Sequence, residues 1–270
     1  MEQANRSPHR ALLASAVAAA TRAATTLRDF AERRHELTVT TKGPSDFVSE
    51  ADHAAERIVR DALLERHPGA RVIGEELSPG DALPASGIAF VVDPLDGTTN
   101  FLHGYPWYAV SIGALVDGQL AAGVVLNVAN GDLFTATAGG GARRNGQPIH
   151  VSSEVNPSRA LLGTGFPFKH RDQIDPYMAQ LPRVLAATAG VRRAGAAALD
   201  LADVACGRFD GFWELMLAPW DLAAGVLLVR EAGGRVTTLG GAECPVAHTG
   251  VVASNGALHE WLLVTLDSSP

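Results

Sequence analysis

The sequence predicts a mixed α and β class, and three observations carry that expectation. Leu12, Ala16, Ala19, Ala20, Ala23, Leu27 and Phe30 recur at helical spacing, as one buried helix face does. Continuous apolar runs of strand length follow, such as Ile88-Ala89-Phe90-Val91-Val92. Asp117-Gly118 joins two further runs in the manner of a two-residue hairpin turn.

The opening helix is expected over 11–34. A second, over 51–66, gathers Ala55, Ile58, Val59, Ala62 and Leu63 on one face and stops at His67-Pro68-Gly69. Strands are expected at 71–74, 88–92, 109–116, 120–128 and 132–137, with Gly139-Gly140-Gly141 as a turn. The second half changes rhythm. It reads as a helix over 173–187, a strand at 191–193, a helix over 197–206 and a strand at 209–214. A helix over 220–231, strands at 235–237 and 251–253, and a last helix over 257–266 complete the chain. No repeat or low-complexity linker divides it, so 1–270 reads as one unit, with subdomains at most over 11–150 and 151–270.

At 270 residues and 47% hydrophobic composition, the chain can bury one large core or two packed ones. A net charge of −7 offers no basic surface to nucleic acid or anionic lipid. It says little about an anionic substrate, because a bound divalent cation reverses the local sign. Cys206 and Cys244 stand far apart and read as reduced thiols rather than a disulfide framework. No apolar stretch is long enough to span a membrane. The run Leu12–Ala20 follows arginines, as a signal peptide does, but its helical spacing continues past any cleavage site. It reads as the first helix of a cytoplasmic enzyme.

The densest chemistry lies at Asp93-Pro94-Leu95-Asp96-Gly97-Thr98-Thr99-Asn100-Phe101. The apolar run before it delivers Asp93 to a strand end, where Pro94 is expected to stop the ladder. Asp96 and the start of a helix follow, so two carboxylates and a carbonyl meet outward-pointing N–H groups. Hard divalent cations take oxygen ligands, and helix N-termini favour phosphate. Taken alone, Asp-x-x-Asp-Gly reads first as a turn or a cap. Two further acidic tips weigh against that: Val72-Ile73-Gly74-Glu75-Glu76, and Ala218-Pro219-Trp220-Asp221-Leu222-Ala223-Ala224-Gly225. Each has a bland reading, Glu75 as a solvated turn residue and Asp221 as an N-cap. Acids at three element tips are nevertheless what a polynuclear metal site requires.

In order and separation these motifs resemble the inositol monophosphatase family. Lys42-Gly43-Pro44-Ser45-Asp46-Phe47-Val48-Ser49-Glu50-Ala51-Asp52, Thr164-Gly165-Phe166-Pro167-Phe168 and Glu231-Ala232-Gly233-Gly234 add to the likeness, which runs from about residue 11 to the C-terminus. The resemblance implies an α+β fold, a layered α-β-α-β-α sandwich of the sugar phosphatase type. Its first half would bind metal and phosphate and its second would recognise substrate. It further implies hydrolysis of a phosphate monoester, inositol 1-phosphate foremost, by a water activated on two or three Mg²⁺ ions. Histidinol phosphate, fructose 1,6-bisphosphate and nucleotide 3′-phosphates are the competing substrates, and an added non-catalytic regulatory role is a further alternative. A homodimer and sensitivity to lithium belong to the same likeness.

Carried over residue by residue, Glu75, Asp93 and the Leu95 carbonyl hold a first ion. Asp93, Asp96 and Asp221 hold a second, with Asp93 bridging, and a third rests on Glu75 and water. Thr98 stands beside the nucleophile and Asp52 is its polar partner, unless Asp52 is only a first-turn acid. The N–H groups of Gly97 and Thr98 cradle phosphate. Ala197, Glu214 and Asp221 contact the polyol, with a solvated strand-end acid as the other reading of Glu214. Lys42 reaches toward metal and substrate or is simply exposed, and nothing in the sequence assigns Arg192 and Arg193.

Overall fold

Small side chains set the first layer. In the computed structural model, which describes residues 2–43 and 46–267, α1 (Glu2–Glu32) buries Ala16, Ala19, Ala20, Ala23, Ala24 and Leu27 completely. Alanine-lined faces let helices approach closely, and α1 lies against α2 (Glu50–Arg66). Before α2, β1 (Val39–Gly43) and β2 (Asp46–Ser49) form a small antiparallel hairpin. Its tip, Pro44 and Ser45 of the Lys42–Asp52 run, lies outside the described residues.

Both helices cover a seven-stranded sheet in sequence order: β3 (Arg71–Gly74), β4 (Ile88–Asp96), β5 (Ala109–Val116), β6 (Gln119–Asn127), β7 (Leu133–Thr137), β8 (Gly141–Arg144) and β9 (Gln147–Ile149). A short helix, α3 (Thr98–Leu102), follows β4. On β4, Phe90 and Val92 face α1 and α2, while Ala89 and Val91 face the opposite side, the period-two alternation of a strand buried on both faces.

The second half builds a five-stranded sheet, ordered β11-β10-β12-β14-β13, from β10 (Leu161–Thr164), β11 (Gly190–Arg192), β12 (Gly211–Leu217), β13 (Arg235–Thr237) and β14 (Thr249–Ser254). α4 (Ile174–Ala187) and α7 (His259–Leu266) cover its outer face over Trp213, Leu215 and Val252. Between the two sheets lie α5 (Ala197–Ala205) and α6 (Pro219–Glu231), whose buried faces join both into one core. Five layers result, α-β-α-β-α, the sandwich that the likeness implied.

α6 sits low on the seven-stranded sheet because two glycines lie beneath it. A Cβ built on Gly113 would stand 2.5 Å from Ala223 Cβ, and one on Gly123 would stand 3.0 Å from the Ala224 carbonyl. On β12, Glu214 shares the inward side with Phe212, while Trp213 and Leu215 point outward.

Several elements differ from expectation. Pro94 does not end β4: pairing with β5 skips past Asp93 at a bulge and resumes at Asp96 opposite Ala109. A bulge leaves the proline's missing N–H without a ladder partner to lose. Lys42 lies on β1, whose Val39–Lys42 stretch is exposed and lacks the apolar alternation that marks a strand. β8, β9 and β10 escape sequence reading for a related reason, being short and partly polar or glycine-bearing.

Candidate active site

Each acid expected to bind metal is placed by a different element. β4 brings in Asp93, 2% exposed, whose Oδ1 accepts the Leu95 N–H at 2.9 Å across the bulge. Asp96 Oδ2 accepts the Ala198 N–H at 2.8 Å, in the first turn of α5. Asp221 is in the first turn of α6, not its N-cap, and accepts the Ala218 N–H at 2.7 Å. One carboxylate oxygen from each of the three lies within 4.8 Å of the other two. Burial first, and then the neighbouring acid charges, push all three carboxyls above the usual range.

Glu75 follows β3 and lines the same cavity, but stands outside this tight triad. Two ammonium groups flank its Oε1, Lys42 Nζ at 3.5 Å and Lys169 Nζ at 3.7 Å. Lys42 lies closer to Glu76, at 2.6 Å, and Lys169 to Asp46, at 2.7 Å. Beneath the turn, Glu56 accepts the N–H groups of Glu76 and Leu77 at 2.7 and 3.0 Å. Gly74 leaves the room for it, since a Cβ there would fall 2.0 Å from Glu56 Oε1.

Thr98 opens α3, with Gly97 as the cap residue at φ +88°. Its Oγ1 stands 2.9 Å from Asp52 Oδ1 and 3.1 Å from the Leu95 carbonyl, and its one proton serves one of them at a time. Asp52 is both a first-turn acid and the partner of Thr98. Its Oδ2 accepts the Ser49 N–H at 2.8 Å and the Ser49 hydroxyl at 2.7 Å. Burial raises its pKa while those donors lower it. Asn100 donates to the carbonyls of Trp107 at 2.7 Å and Ala194 at 2.9 Å, tying α3 to the segment before α5.

Glu75, Asp93, Leu95, Asp96, Gly97, Thr98 and Asp221 line one cavity of ≈ 560 Å³, within the range that holds a small ligand. A second part of its wall, from α5, β12 and the segments after β10 and β11, carries Gly165, Arg193, Ala197, Asp200 and Glu214. Burial and the charge of Asp221 push Glu214 up to about 8. Arg193 stacks its guanidinium 5.5 Å from the Phe166 ring centre and 5.0 Å from that of Phe168. Arg192 does not line the cavity and donates instead to the Val191 carbonyl.

A model of the inositol monophosphatase family matches residues 9–270. The chain belongs to the inositol monophosphatase family. That membership makes it a phosphoric monoester hydrolase. It is 46% identical over 230 residues to the inositol-1-monophosphatase of Rhizobium meliloti, covering 84% of this chain and 85% of that one. It is 44% identical over 241 residues to the Nus factor SuhB of Pseudomonas aeruginosa, covering 87% and 88%. The solved structure of the extragenic suppressor protein suhB from Bartonella henselae superposes with a TM-score of 0.90 at 40% identity, over 96% of this chain and all of that one.

The donor set of this family member suits a hard divalent cation. Three carboxylates converge, two of them buried, and among the described residues no lysine, arginine or histidine pairs with them. Sequence reading missed three residues of the site: Asp46, Lys169 and Asp200. Lys169 and Asp46 meet only through folding, and Asp46 stood within the Lys42–Asp52 run without a role of its own. Asp200 did carry a signal, an acid inside a helix whose every residue is buried.

Proposed function

We propose that this phosphatase hydrolyses an inositol monophosphate, inositol 1-phosphate foremost, with Mg²⁺ as its cation. Asp93, Asp96 and Asp221 would hold Mg²⁺, helped by the Leu95 carbonyl, with Glu75 completing the set at its edge. Bound Mg²⁺ supplies charge neutralisation and a water acidic enough to attack phosphorus. The convergence of three carboxylates beside the Thr98–Asp52 pair carries this reading.

The chain's own groups account for the remaining steps. Thr98 Oγ1 passes its hydrogen toward Asp52 and offers a lone pair to the attacking water, fixing the direction of approach. Gly97 and Thr98, both on the cavity wall, present backbone N–H groups to the phosphate oxygens. Glycine at position 97 allows both the left-handed φ and the close approach. Glu214, which lines the same cavity as the small Ala197, accepts hydrogen bonds from leaving-group hydroxyls.

Phosphate release from inositol 1-phosphate, histidinol phosphate and fructose 1,6-bisphosphate, with and without Mg²⁺, tests the reading. The expected order places inositol 1-phosphate first and shows no turnover without the cation. A far higher kcat/KM for histidinol phosphate overturns the inositol assignment. Turnover that survives chelation overturns the metal assignment. Lithium inhibition and a homodimer in solution belong to the same reading.

The 44% identity to a protein called a Nus factor favours a second reading, a non-catalytic binding role carried beside the hydrolysis. An Asp93→Asn variant that is inactive yet restores the phenotype of a deletion strain would support that role.

A further inference from the structure

Among the described residues, the acids with almost no exposed surface have hydrogen-bond partners, with one exception at the active site. Asp203 pairs with Arg208 at 2.8 Å, Asp96 has the Ala198 N–H, and Asp52 has Ser49 and Thr98. Asp200, one helical turn beyond Ala197 on α5, is 1% exposed and its Oδ1 has no hydrogen-bond partner. Among the described residues, it alone combines a buried, unpartnered side-chain atom with a place on the cavity wall. A dehydrated, unpaired carboxyl weakens a fold, and such strain is typically retained where a ligand relieves it.

The neighbourhood shows what ligand that is. Asp200 shares its wall with Glu214, whose carboxyl fills the space left by Gly165: a Cβ there would lie 2.0 Å from Glu214 Cδ. Burial and the charge of Glu214 both press Asp200 toward its uncharged form. Arg193 lies on the rings of Phe166 and Phe168 and lowers the pKa of both acids by its charge, yet among the described residues it forms no ion pair with either. Two carboxyls facing one small space accept hydroxyl hydrogens well, directly or through one ordered water. A second phosphate or carboxylate beside them would give up its hydration to two dehydrated carboxyls whose ionised forms repel it.

We propose that Asp200 is a specificity-determining residue: with Glu214 it receives the hydroxyl hydrogens of an uncharged, hydroxyl-rich leaving group and turns away leaving groups that bear a second anion. The inference deepens the inositol phosphate reading and rests on it. It adds a contact beyond Glu214 and Ala197, and it excludes bisphosphates as good substrates.

The test compares the Mg²⁺-loaded enzyme with its Asp200→Asn and Asp200→Leu variants on three substrates: inositol 1-phosphate, p-nitrophenyl phosphate and fructose 1,6-bisphosphate. The expected result is a loss of kcat/KM on inositol 1-phosphate about tenfold greater than on p-nitrophenyl phosphate, carried mainly by KM. The relative rate on the bisphosphate rises. Melting temperature rises by about 2–4 °C in Asp200→Leu, because an unsatisfied buried group is gone. Equal proportional losses on all three substrates, or no loss on any, would overturn the assignment of Asp200. So would a lowered melting temperature in both variants, which would mark a structural acid. A wild-type enzyme that prefers the bisphosphate would overturn the underlying inositol reading instead.

Discussion

The two walls of the cavity are built from the same residue type and held in opposite ways. Asp93, Asp96 and Asp221 each accept a backbone N–H, from Leu95, Ala198 and Ala218. Asp200, on the other part of the wall, has no such donor to its Oδ1, and Glu214 is placed by strand alternation and the gap at Gly165. Carboxylates that share a cation must be aimed in advance, since misplacement is repaid directly in rate. Groups that meet a variable organic ring gain more from being free to pair with it. One wall is thus organised by the chain and the other is completed by the ligand.

That contrast can be broken most forcefully at Asp93. Asp93→Asn is expected to lower kcat on every substrate by about 10³-fold, the several kcal/mol a cation contributes, with an unchanged circular dichroism spectrum. Activity near wild type would remove Asp93 from the metal set. A finer cut pairs Thr98→Ala with Glu214→Gln. Loss of the hydroxyl should reduce kcat about 10²-fold whatever the leaving group. Glu214→Gln should instead raise KM about tenfold, and only for polyol phosphates. Steady-state kinetics on inositol 1-phosphate and p-nitrophenyl phosphate separates the two, and the same pattern in both variants would erase the distinction between walls.

The smallest expected effect is on stability. Glu214 is pushed up to about 8, and Asp93, Asp96 and Asp221 are raised in the same sense. Between the ordinary carboxylate range near about pH 4 and about pH 8, the unfolded chain has released protons that the folded, metal-free chain retains. Fewer protons on the unfolded state mean that stability falls as pH rises. Melting temperature of the chelated enzyme should therefore drop by several degrees from about pH 5 to about pH 8, and added Mg²⁺ should recover it most at the alkaline end. A flat profile, or recovery independent of pH, would show that the clustered acids do not titrate together.

The same division governs what could be read from sequence. The stretch Asp93–Phe101 is contiguous, so its acids, cap glycine and threonine announced themselves together, and Asp221 stood beside a proline at a helix start. The part around Glu214 and Asp200 is assembled from single residues of β12, α5 and the segments after β10 and β11, each in an unremarkable setting. Asp200 is one acid among alanines and leucines, and its meaning rests on a missing partner, which only three dimensions reveal. The β1–β2 hairpin was missed because its exposed strand lacks apolar alternation. The bulge at Pro94 was missed because a proline inside a central strand argues locally for a stop. Layer order came from the family likeness, since helices and strands alone leave many stackings open.

Gly113 and Gly123 carry a consequence that reaches beyond packing. Where methyl groups would stand, bare backbone lets α6 rest against the strands below, and Asp221 rides on the first turn of that helix. The hydrogens of two silent residues therefore act as a shim: thicken either, and the third carboxylate is jacked away from its companions without any charged group having been touched.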